Sequence, residues 1–125
     1  MANINTLDDL EKVLKTKNLN QEDYVRIKKE AGEIIQSVKI SHLFKSNLKV
    51  FSEFNILSPS GVVLRPDRVV VHSNKFASLI DYKTGAPSRL HEIQMANYED
   101  VLFSMGFNKV DKYLVYLTES NVIKL

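Results

Sequence analysis

An aspartate and a lysine set two residues apart in an apolar run, Leu79-Ile80-Asp81-Tyr82-Lys83, constrain this chain more than anything else in it. On a β-strand, side chains at i and i+2 share a face, so Asp81 and Lys83 point together while Ile80 and Tyr82 point the other way. Thirteen residues separate Asp67 from Asp81, and Asp67 leads into a second apolar run, Val69-Val70-Val71. Both runs are therefore expected to be buried. A charge in such a place needs a partner or a metal, because desolvating it alone is costly.

A length of 125 residues is about one domain by the usual prior of roughly 100–200 residues per domain, with room for a single modest core. We expect one domain over 1–125, with a helical part over 1–48 and a core over 49–125 that holds the chemistry. Such a unit is equally compatible with being the excised end of a larger enzyme. No apolar run approaches the roughly 18 residues of a membrane span, and Met1-Ala2-Asn3-Ile4-Asn5 lacks the basic start and apolar centre of a signal peptide. Without cysteine there is neither a disulfide framework nor a thiolate metal site. A cytoplasmic setting and no membrane partner are expected. The formal net charge of +2 is too small to announce a nucleic-acid binder, so any such contact must come from local placement.

Thr6 and Asp9, before Leu7, Leu10, Val13 and Leu14, predict a capped short helix through about Lys15, broken by Lys17-Asn18-Leu19-Asn20. A second helix is predicted from Gln21 to about Ser37, N-capped by Asn20, with Tyr24, Ile27, Ala31, Ile34, Ile35 and Val38 at helical spacing. From Val50 the period changes to that of strands: Val50 to Leu57, the turn Ser58-Pro59-Ser60-Gly61, Val62 to Leu64, and Arg68 to His72. Pro66 predicts a break just before Asp67, since it removes a ladder donor. Phe76 to Lys83 is the third strand, and a helix follows over Leu90 to Met105 with Gly106 as its C′ residue. Lys112 to Thr118 and Val122 to Leu125 close the chain as strands.

Paired carboxylates beside a lysine suit the hydrolysis of phosphodiesters, in which divalent ions neutralise the phosphate and generate a nucleophile near neutral pH. Magnesium takes one or two carboxylates plus water and phosphate oxygens. Asp67, Asp81 and the backbone carbonyl of Tyr82 would serve as ligands for Mg2+ or Mn2+, with Glu53 in the first strand pattern as a third carboxylate. Lys83, two residues from the second ligand, would hold the attacking water and offset charge developing on phosphorus.

Pro66-Asp67, Asp81-Tyr82-Lys83 and the order α, βββ, α, β together resemble the restriction-endonuclease-like, or PD-(D/E)XK, nuclease superfamily. More closely, Asp81-Tyr82-Lys83-Thr84-Gly85 and Gln94-Met95-Ala96-Asn97-Tyr98 resemble the RecB-type exonuclease domain at the C-terminus of UvrD-like helicases. The resemblance covers about Phe51 to Leu117. It implies an α/β fold with a restriction-endonuclease-like core (α-βββ-α-β, mixed central sheet) and an N-terminal helical extension. It also implies a magnesium-dependent deoxyribonuclease, an exonuclease of DNA repair and recombination, with DNA as partner and a UvrD-like helicase in cis or in trans. Gln94 and Tyr98, at i and i+4 on one helix face, would approach the metal site and the DNA backbone. His42, in Ser41-His42-Leu43-Phe44, is the candidate for the histidine ligand that such domains often carry on the preceding helix.

Plainer readings stand beside these. Asp81 and Lys83 also make sense as a structural ion pair, Glu53 as a partly exposed strand carboxylate, Tyr98 as a core residue and His42 as a packed or surface side chain. His72 and His91 lack partner ligands at a metal-binding spacing. Arg65 and Arg68 flank Asp67, and Lys75, Arg89 and His91 follow in expected loops, where they are candidates for phosphate contacts that position DNA. Lys12, Lys15, Lys17 and Lys28-Lys29 read as solvated helix surface. A function of another class, a non-cleaving module of the same fold that binds DNA or docks a helicase, would not need the full set of carboxylates and lysine.

Overall fold

Asn20 opens the first helix as expected of an N-cap: its side-chain oxygen accepts the Asp23 N–H at 2.8 Å. The computed structural model describes residues 14, 15, 17, 19–35, 40–44, 48–52, 55–57, 61, 63–118 and 121–125. In it, helix α1 (Gln21–Ile35) and a 3-10 turn (Ser41–Phe44) precede β1 (Lys49–Ser52), β2 (Ile56–Leu57), β3 (Val63–Leu64), β4 (Arg68–Val71) and β5 (Phe76–Lys83). Helix α2 (Arg89–Ser104), β6 (Lys109–Tyr116) and β7 (Asn121–Lys124) follow. The expected first helix, with Thr6 and Asp9, starts outside the described residues, as does Glu53.

Strands β1-β4-β5-β6-β7 lie in that order in one sheet. The β5–β6 pair is parallel and the other three are antiparallel. The protein is therefore α/β with a mixed five-stranded sheet, and α2 is the crossover that a parallel pair requires. The expected strand Val50–Leu57 does not stay whole: β1 ends at Ser52, while Ile56 and Leu57 pair with Leu64 and Val63 in a separate two-stranded sheet. Ile56 is buried there and Leu57 exposed, the alternation of a strand with one covered face. Pro66 separates this pair from β4 as expected. Strand β6 begins three residues before the expected Lys112, because Lys109 to Asp111 continue the register with Phe76 to Ser78.

Side-chain alternation divides the core between the two sheet faces. Val70, Ile80, Tyr82, Tyr113, Val115 and Val122 meet Leu14, Ile27, Ile40, Leu43 and Phe44 on one side. Val69, Ala77, Leu79, Val110, Leu114 and Tyr116 meet Met95, Tyr98, Val101 and Leu102 of α2 on the other. Each fully buried aliphatic side chain contributes roughly 1.5–3 kcal/mol, so these two layers hold β5 from both sides. That explains why five of the eight residues of Phe76–Lys83 are apolar.

Both ends of α2 are closed by local bonds. Ser88 Oγ accepts the Leu90 N–H at 3.2 Å. At the other end Gly106, at φ 110°, stands where the Phe107 N–H reaches the Leu102 carbonyl and its own N–H reaches that of Phe103. This is the Schellman arrangement, for which a left-handed glycine at C′ is the usual solution. Helix α2 is thereby fixed in length, and with it the height of Gln94 and Tyr98 over the sheet.

Candidate active site

Asp81 and Lys83 share the α2 face of β5, as alternation requires, while Ile80 and Tyr82 pack on the opposite face. Lys83 Nζ lies 2.7 Å from Asp81 Oδ2 and donates to Gln94 Oε1 at 2.5 Å. One ammonium group thus ties the strand to α2. Tyr98, one turn beyond Gln94, is buried beneath it.

Asp67 enters from the other side of the β4 break. Its N–H donates to Asp81 Oδ1 at 3.2 Å, and its Oδ2 accepts the Tyr82 N–H at 2.8 Å. Residues fourteen positions apart in the chain are thereby brought into direct contact, because β4 and β5 are antiparallel neighbours with Arg68 opposite Ile80. Asp81 is only 3% exposed and Asp67 9%. Two carboxylates so placed oppose each other's ionisation. Burial first, and then the charge of Asp81, pushes Asp67 up from its ordinary 3.8 to about 7, against the opposing pull of Lys17 and the Tyr82 N–H.

Lys17 was not among the expected site residues. Its ammonium group lies 3.6 Å from Asp67 Oδ2. Nothing in the local sequence separates it from the other lysines of the N-terminal part. Only the packing of Leu14 and Leu19 against the sheet brings it to the carboxylates.

His91 was expected in a loop as a candidate phosphate contact. It lies in the first turn of α2 rather than in a loop, and its Nδ1 is hydrogen-bonded to Tyr116 Oη at 2.9 Å. Burial, and then the charge of Lys83, hold its imidazole below its ordinary value, against the pull of Asp81. The ring is therefore neutral at pH 7. Burial, followed by the charges of Asp81 and Asp67, raises the Tyr98 phenol above its ordinary range, so Tyr98 stays a neutral hydroxyl.

Other expected contributors fall elsewhere. Arg68, proposed from its position beside Asp67 to contact phosphate, is 3% exposed. Strand alternation turns it to the far face, where it donates to the Leu43 carbonyl at 3.1 Å and lies 4.3 Å over the Phe44 ring. Its expected phosphate contact is withdrawn on that ground. His42 is exposed on that same far face, with its ring 6.2 Å from that of Tyr113, and it is not brought to Asp67 and Asp81. Lys75 sits at the opposite end of β5 from Asp81, about 20 Å away at strand rise. His72 is bonded to Ser78 Oγ at 2.9 Å and stacked on Phe76, which accords with a structural role. Arg89 is exposed at the start of α2, and Arg65 is exposed beside the site.

The donor set suits a hard cation. Asp67 and Asp81 are joined through the Asp67 N–H and offer carboxylate oxygens to one site, and a divalent ion held there would replace the proton that burial and repulsion otherwise favour on Asp67. Among the described residues no group of three or more His, Asp and Glu side chains gathers here, so backbone oxygen, water and substrate would complete a coordination shell. Compared with protein-family models and with curated proteins, the chain matches none. No helix among the described residues is long and apolar enough to cross a membrane.

Proposed function

We propose that the chain is a metal-dependent deoxyribonuclease of the restriction-endonuclease-like type, acting with magnesium or manganese. The observation that carries this reading is the contact of Asp67 with Asp81 while Lys83 Nζ sits 2.7 Å from Asp81. Two acids and one cation at the end of a central strand, beside an amide and a phenol from the crossover helix, suit metal-assisted phosphodiester hydrolysis.

In this reading Asp67, Asp81 and the Tyr82 carbonyl hold the ion, with Glu53 added on sequence grounds. The ion supplies Lewis-acid activation of the phosphate and lowers the pKa of water. Lys83, held 2.7 Å from Asp81 Oδ2, would orient the attacking water and offset negative charge on the phosphoryl oxygens. Gln94 fixes the Lys83 ammonium in that position. Tyr98, kept neutral, donates a hydrogen bond toward the site, and Arg89 contributes to phosphate attraction from the rim. An exonuclease partnered with a UvrD-like helicase is the biological setting that the Asp-Tyr-Lys-Thr-Gly motif suggests.

The test is incubation of linear single- and double-stranded DNA with the protein in magnesium, in manganese and in a chelator, with Asp81→Ala and Lys83→Ala alongside. Metal-dependent loss of DNA that both variants abolish is expected, and product lengths separate end-directed from internal cutting. Cleavage by either variant at the wild-type rate would refute the mechanism. Metal-independent, salt-sensitive binding without cleavage would favour a non-cleaving DNA-binding or helicase-docking module.

A further inference from the structure

Lys17 is delivered to the carboxylates by backbone that is itself anchored. Its N–H reaches the Leu14 carbonyl at 3.1 Å, Leu14 is fully buried, and Leu19 packs on the same core. A lysine on a free surface arm gains little from an ion pair, because water screens the charge and the long side chain loses its freedom. Here the stem is covered, leaving the Lys17 side chain 22% exposed. An ammonium group so far withdrawn from water needs compensation, and the buried acid 3.6 Å away supplies it. The two carboxylates thus meet two ammonium groups, Lys17 at Asp67 and Lys83 at Asp81, but the two are held differently. Lys83 is bonded both to Asp81 and to Gln94 of α2. Lys17 stands beyond hydrogen-bond length from Asp67 Oδ2, an oxygen that already accepts the Tyr82 N–H at 2.8 Å. Its contact is one of charge, with no directional bond to fix it.

From this we infer that Lys17 is the chain's own counter-ion for Asp67 and sets the metal affinity of the site, because it and a divalent cation compete for the same carboxylate. This rests on the proposed metal site of Asp67 and Asp81 and is independent of the choice of DNA as substrate. Any cation taken up by Asp67 meets the Lys17 ammonium as a like charge, and at contact distances that repulsion exceeds thermal energy even in a well-screened protein site. Uptake of metal is therefore favoured when Lys17 draws back toward water, for which a flexible four-carbon stem gives it the reach. Lys83 exchanges less readily, since Gln94 holds it from α2. Lys17 belongs to the N-terminal part and the carboxylates to the sheet, so the ion also trades against a contact that joins those two parts. Lys17 acts through Asp67 and needs no contact with substrate.

The test uses the intact chain in the absence of DNA. Binding of Mn2+ is followed by loss of the free-ion electron paramagnetic resonance signal in wild type, Lys17→Met and Asp81→Ala. Methionine keeps a flexible apolar stem and removes the charge, and thermal melting in chelator checks the fold. Lys17→Met is expected to bind Mn2+ about tenfold more tightly than wild type, and Asp81→Ala to lose binding. A second measurement needs no variant: a brief pulse of an amine-acetylating reagent with and without Mn2+, read by mass spectrometry of peptides. Labelling of Lys17 is expected to rise with metal, while that of Lys29, exposed on α1, stays constant. Equal or weaker Mn2+ affinity in a folded Lys17→Met, Lys17 labelling that metal leaves unchanged, or no Mn2+ binding by any of the proteins overturns the inference. Tighter binding by Lys17→Met with no DNA cleavage in any metal leaves the counter-ion standing without the nuclease. Metal-dependent cleavage with the Mn2+ affinity of Lys17→Met unchanged leaves the nuclease standing without the counter-ion.

Discussion

Asp67 is the side chain on which burial and charge are most at odds. Its folded value, about 7, lies above the ordinary 3.8, so the folded chain holds a proton that the unfolded chain has lost over that interval. The resulting stabilisation is fully present below about pH 4 and is lost as pH rises through about 7. In chelator, Asp67→Asn is therefore expected to melt higher than wild type at pH 8, by on the order of 1–3 kcal/mol, with the gap closing toward pH 5. Thermal melts of both proteins at the two pH values decide this. Arg68 carries the opposite expectation at the same scale. Arg68→Ala is expected to cost about 1–3 kcal/mol by leaving the buried Leu43 carbonyl unsatisfied and to leave the salt slope of DNA binding unchanged. Arg89→Ala is expected to reduce that slope by about one, measured by titration between low and physiological salt. That Asp81 and Lys83 lie on one face of β5, in contact, was legible because side chains at i and i+2 of a strand point together. The burial of Arg68 was not, since proximity to Asp67 in the chain places it on the other face of the strand.

Among elements, β5 and α2 were the most readable, and for a physical reason. Phe76–Lys83 occurs with the expected bounds because a strand covered on both faces carries apolar residues on both, here Ala77 and Leu79 on one and Ile80 and Tyr82 on the other. Helix α2 differs by one residue at each end from the expected span, held there by Ser88 and Gly106. The cap links the helix to the site, so Ser88→Ala is expected to cost about 1 kcal/mol, read as a shift in melting temperature, and, on the proposed nuclease function, to lower the cleavage rate through Gln94. Gly85, which follows the Asp-Tyr-Lys-Thr run, sits at φ 111°, and a Cβ there would meet nothing within 4 Å. Gly85→Ala is thus expected to cost about 1 kcal/mol from backbone conformation alone. Strands β2 and β3 were less legible. Two residues each carry no period, and whether they join the main sheet or each other depends on what covers Ile56.

At the scale of the molecule, the proposed metal site would link metal, folding and proton. Excess Mg2+ is expected to raise stability by about 2.7 kcal/mol at a free concentration one hundred times its dissociation constant. The effect should shrink at pH 6, where Asp67 retains its proton, and vanish in Asp81→Ala; melting curves with and without magnesium measure it. Strand and helix period, the Asp-x-Lys pair and the capping residues are local properties, and they were readable because each rests on chemistry within a few residues. The meeting of Asp67 with Asp81, the arrival of Lys17 beside them and the bond between His91 and Tyr116 join residues distant in the chain. These were decided by sheet register and by the docking of α2, because no short-range pattern specifies which side chains two packed elements bring face to face.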